Sequence, residues 1–92
     1  MDPNAAVARL QDLTQDAEIQ LSHASKTKTL AHARSLHMDA RDTLDEASDV
    51  VTGLQQWMAR GGFKPNMRSY ETWLRRYVAA EQEWSRQGKL LR

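Results

Sequence analysis

The placement of proline and glycine constrains this chain more than any other feature. After Pro3 no proline occurs until Pro65, and the only glycines are Gly53, Gly61, Gly62 and Gly88. Residues 4–52 therefore lack both of the residues that interrupt a helix most strongly. No period-two alternation or Asn-Gly or Asp-Gly hairpin signal competes with a helix, and β-branched residues are few. The fold class read from this is all-α. A chain of 92 residues has room for one helical domain, 1–92, and can bury about 64 % of its unfolded surface.

Helical periodicity divides that domain. Asp2 before Pro3 suits an N-cap followed by a first helical residue that has no amide to satisfy. Val7, Leu10, Leu13, Thr14, Ala17, Leu21 and Ala24 then form one apolar stripe. Leu36, Ala40, Leu44, Ala47, Val50, Val51, Leu54, Trp57 and Met58 form a second, rotated by roughly 110° in continuous numbering. One straight helix cannot turn both stripes toward one partner, so a turn is expected within Ser22–Thr29, whose hydroxyl side chains favour caps. The alternative is a merged helix over 3–59, about 85 Å long, stable only in a coiled-coil oligomer.

Arg60, Gly61-Gly62 and Pro65 read as the stop of the second helix. A third starts from Asn66 or Ser69 and carries Met67, Tyr70, Trp73, Leu74, Tyr77, Ala80 and Trp84 on one side. Gly88 is its expected stop, with Lys89–Arg92 as a fraying tail. The architecture predicted is a small antiparallel bundle of three helices, near 3–23, 30–60 and 67–87. Phe63 and Trp57 are expected to close over the Gly-Gly junction as an apolar clasp.

The segment 54–65 resembles a pattern in small, largely uncharacterised helical proteins of actinobacteriophages and their hosts. The residues that carry the resemblance are Leu54, Trp57, Gly61, Gly62, Phe63 and Pro65, an amphipathic helix running through Leu-x-x-Trp into Gly-Gly-Phe-x-Pro. The resemblance implies a helix-stop device and a phage origin, without an activity.

Catalytic chemistry finds little to work with. The chain has no cysteine, which removes disulfides, thiolate metal sites and cysteine nucleophiles. His23, His32 and His37 fall outside any His-Glu-x-x-His spacing, so no metal or cofactor site is expected. His37 is placed at the edge of the second stripe. The serines lack a strand-turn-helix elbow. Asp39, Asp42, Glu46 and Asp49 share a helix face opposite the apolar stripe, where carboxylates stay wet and ionised instead of dividing acid and base roles. The expectation is no enzyme. Short apolar runs and a mean hydropathy of −0.73 lead to a cytoplasmic protein with no leader and no membrane span.

Charge and rings point elsewhere. Residues 1–58 carry a net −4 and 59–92 a net +5, and all six aromatic residues lie between 57 and 84. Trp, Tyr and Arg dominate interface energetics, so Trp73, Arg76, Tyr77 and Trp84 are the candidate partner-binding residues. Asp39, Asp42, Glu46 and Asp49 form a second, acidic docking face. Ile19 and Met38 point away from their stripes and are expected to be exposed. Alanines at seam positions bury little area, which favours a homodimer, and the acidic second helix is expected to face the basic third within one molecule or between two. The function read from this is a non-enzymatic protein–protein interaction module. The alternative is a nucleic-acid-binding regulator in which Arg68, Arg75, Arg76 and Arg86 neutralise phosphates, helped by Lys64, Lys89 and Arg92.

Overall fold

Each helix begins on a side-chain cap. The Asp2 carboxylate accepts from the backbone N–H groups of Asn4 and Ala5 at 3.0 and 3.2 Å and opens α1, Pro3–Lys26. Thr29 opens α2, Leu30–Ala59, with its hydroxyl accepting from the His32 amide. Asn66 opens α3, Met67–Leu90, by accepting from the Ser69 amide at 3.1 Å. The computed structural model describes residues 1–91, and among the described residues there is no strand. Arg92, one of the cations considered above for phosphate contact, lies outside them.

The break between the first two stripes is a turn of three residues, Thr27–Thr29. Thr27 adopts an extended backbone that cannot continue the helix, and its hydroxyl bonds to the His32 ring across the turn. The merged helix is thereby replaced by an antiparallel pair. Asn66 donates its amide to the Asn4 side chain at 2.8 Å, which ties the start of α3 to the start of α1. At the other end the Gln87 amide donates to the Leu21 carbonyl at 2.7 Å. α3 therefore runs parallel to α1 and antiparallel to α2, in a rod of 47 × 17 × 17 Å.

The core changes character along that rod. Near the α2–α3 turn it holds Val7, Leu10, Leu13, Val51, Leu54 and Tyr70. Toward the α1–α2 turn it narrows to Ala17, Ala40 and Ala80 with Leu21 and Leu44. Alanines let helix axes approach but leave little apolar bulk, and Trp84 packs against this cluster from α3.

Two expectations at the helix ends are corrected. Gly61 does take the left-handed conformation, φ 82°, but the Phe63 ring is 84 % exposed and closes over nothing. Trp57 alone seals the junction: its indole N–H donates to the Phe63 carbonyl at 2.7 Å, and its ring fills the place a side chain at Gly62 would take. Nor does Gly88 stop α3, which continues to Leu90. A Cβ at position 88 would stand 3.3 Å from the His37 ring nitrogen Nε2, so the glycine serves a close approach between helices.

Candidate functional site

Trp84 organises the α2–α3 seam. Its ring stacks on His37 with centroids 4.4 Å apart and planes 8° from parallel. The indole N–H donates to the His37 carbonyl at 2.9 Å, and the Arg41 guanidinium lies 4.5 Å from the ring centroid on α2. Arg41 in turn holds Glu81 of α3 at 2.7 Å, and the Tyr77 hydroxyl donates to the same carboxylate oxygen at 2.9 Å. Pairing with Glu81 raises the Arg41 pKa above its usual range, and burial raises that of the Tyr77 phenol. His37, expected at the edge of its stripe, is buried instead, because the flat indole covers it.

The other two candidate partner-binding residues, Trp73 and Arg76, are also fastened inward. Trp73 is half-buried against the large-residue core. Arg76 lies 4.3 Å from the Trp73 ring centroid and grips Glu18 of α1 through two nitrogens. Trp73, Arg76, Tyr77 and Trp84 thus share one side of α3, with Trp73 and Arg76 on the α1 seam and Tyr77 and Trp84 near α2. Arg86 pairs within α3 to Glu83, holding that carboxyl below its ordinary pKa. Arg68 and Arg75 are exposed and, among the described residues, form no ion pair.

The acidic face does not turn toward α3. Glu46 pairs with Arg9 of α1 at 2.8 Å, whereas Asp39, Asp42 and Asp49 are exposed and, among the described residues, unpaired. Among the described residues the one ion pair between α2 and α3 has the opposite polarity from that expected, with the cation on α2 and the anion on α3. Local charge at one residue, not the net charge of each helix, decides the pairing. Among the described residues no three His, Asp or Glu side chains gather closely enough to hold a metal ion, and no helix is long and apolar enough to cross a membrane.

Beside the Trp84–His37 stack an open groove of about 570 Å³ runs between α2 and α3. Arg34, His37 and Met38 line it from α2, and Trp84, Ser85, Gly88 and Lys89 from α3. Met38 is 69 % exposed. Arg34 reaches across the groove's end to the Leu91 carbonyl, donating from two nitrogens at 3.2 Å. A smaller hollow of about 280 Å³ between α1 and α3 is bordered by Glu18 and Glu83, both already held by arginines.

Sequence reasoning singled out Met38 and Trp84 but missed His37, Arg41, Glu81 and Gly88 as parts of one site. A usable signal was present: Trp84 and Gly88 are one turn apart and share a face, as do His37 and Arg41. No protein-family model matches the chain, nor does any curated protein or solved structure.

Proposed function

We propose that this chain is a non-enzymatic helical interaction module, an adaptor, regulator or inhibitor that covers a surface on another protein with its α2–α3 face. The observation that carries the reading is the groove in which a largely exposed Met38 stands beside the half-buried Trp84 ring. Apolar surface gains about 25 cal/mol per Å² when removed from water, and Trp, Met and Arg are enriched at interface centres. Trp84 forms part of the contact surface itself. Trp73, Tyr77 and Arg76 support it by holding α3 in place, and Asp39, Asp42 and Asp49 offer a second docking surface.

Against catalysis, the charged groups that meet between helices are satisfied by one another, as in Arg41–Glu81 and Arg76–Glu18. The same reading has the module act in the cytoplasm as a homodimer, and the resemblance of residues 54–65 adds a phage origin. A photo-crosslinking residue at position 38, with one at Asp12 on the outward face of α1 as control, tests it in the cells that make the protein. Discrete protein adducts from position 38 alone are expected. Equal adducts from both positions, or none, overturn the reading.

A second reading has one observation in its favour. Arg68, Arg75 and Arg86 fall on a common face of α3 at spacings of seven and eleven residues, a basic stripe about 27 Å long. Nucleic-acid binding through it requires affinity for a generic duplex that falls log-linearly with salt. No binding at low salt removes this reading.

A further inference from the structure

We infer that the surface covered by the α2–α3 face is the same face of a second copy of this chain, docked antiparallel with the two Met38 side chains at the dyad. The inference rests on the interaction-module reading and names its partner.

Along α2, Leu30, Arg34, Met38 and Asp42 follow one another at intervals of four and form a single ridge. Leu30 is 52 % exposed, Met38 69 %, and Arg34 and Asp42 are both exposed. Arg34 and Asp42 stand one turn to either side of Met38, each about 6 Å along the axis and turned by about 40° in opposite senses. A twofold axis through Met38 therefore sets Arg34 of one copy against Asp42 of the other, and does so twice, which is the self-complementarity that an isologous contact requires.

The charge of the whole helix reverses about the same point. Before Met38, α2 carries Arg34 and no acid, with Lys28 in the preceding turn. After it come Asp39, Asp42, Asp45, Glu46 and Asp49 against the single cation Arg41. Arg41 is committed to Asp45 and Glu81, whereas Asp42 forms no ion pair or side-chain hydrogen bond among the described residues. Antiparallel docking sets the cationic start of each α2, with Lys89 of α3 beside it, on the acidic half of the other. A parallel pair would instead set like charge on like.

The groove accepts the apolar part of the contact. It is open beside the His37 and Trp84 rings, where the thioether of the partner copy can enter, and sulfur makes favourable contacts with aromatic rings.

Sedimentation equilibrium tests the inference on four samples: the chain itself, Arg34→Glu, Asp42→Arg, and an equimolar mixture of the two variants. The chain is expected to dimerise, and each variant alone, which brings like charges together, to weaken dimerisation at least tenfold. The mixture restores it. In the mixed dimer the carboxylate introduced at position 34 meets the guanidinium introduced at position 42, and the original Arg34–Asp42 pair forms at the symmetry-related contact. A circular-dichroism melt checks that each variant folds. If Arg34→Glu loses stability with its bond to Leu91, Asp42→Arg decides the matter by itself: a dimer at least tenfold weaker is expected, and an unchanged one overturns the inference. A chain that stays single up to about millimolar concentration overturns the inference, as does a dimer indifferent to these changes or a mixture no tighter than its components. A single chain whose position-38 crosslinks reach an unlike protein overturns the second copy, and the homodimer with it, and leaves the α2–α3 face standing as an interaction surface. Absence of any adduct at position 38 overturns both.

Discussion

The His37 imidazole and the Trp84 indole lie flat against each other with centroids 4.4 Å apart, and the backbone carbonyl of His37 accepts the proton of that same indole. One residue of α2 thus holds one residue of α3 through both its ring and its main chain, where the alanine-rich core supplies the least apolar bulk. Trp84→Phe keeps a ring but loses the indole N–H and much of the attraction for Arg41. The expected cost is about 1–2 kcal/mol, which lowers the midpoint of thermal unfolding by about 4–8 °C for each kcal/mol in a domain of this size. A melt unchanged by the substitution contradicts the role given to this stack.

The two glycines that end α2 are expected to fail differently. Gly61→Ala strains a residue at φ 82° with open space around it and should cost about 1 kcal/mol. Gly62→Ala drives a methyl group into the Trp57 indole and must expel it from its bond to the Phe63 carbonyl, at about 2–3 kcal/mol. Denaturant melts rank the two variants, and a Gly61 variant that is the weaker one contradicts the account of this turn.

Ion pairs across the seams should differ in worth according to exposure. The Arg41 and Glu81 side chains are both 28 % exposed, against 56 % and 61 % for Arg9 and Glu46. A double-mutant cycle is expected to give about 1 kcal/mol of coupling or more for the first pair and under about 0.5 kcal/mol for the second. Salt should weaken the second pair more.

Burial raises the phenol pKa of Tyr70, and burial followed by the Glu81 carboxylate raises that of Tyr77. A raised folded-state value means the unfolded chain releases these protons first. The stability the two groups contribute is therefore complete below about pH 10, the ordinary tyrosine value, and is lost as pH climbs through the folded values. Tyrosinate absorbance should rise at higher pH in the native chain than in urea, and coincident titrations would contradict this.

The helices and their buried faces were legible because both depend on local spacing. Every residue of the first stripe, from Val7 to Ala24, is buried, and Met38 and Ile19 stand exposed as expected. The seam was not legible, because it depends on the register between α2 and α3, which no single helix's periodicity contains. His37 reads as a stripe edge until Trp84 is set against it. Gly88 reads as a helix stop until His37 is known to pass beside it. The charge asymmetry misled for the same reason: net charge per helix does not say which residues face each other, and the facing pair is Arg41–Glu81.

On the function proposed above, Met38 belongs to a contact surface and takes no part in holding the fold together. Thermal unfolding and sedimentation of Met38→Lys, measured side by side, decide whether it does. The expected result is a melt within about 0.5 kcal/mol of the parent at concentrations low enough that both are single chains, together with loss of association at higher concentration. A variant that unfolds, or one that associates as tightly as the parent, would contradict the claim.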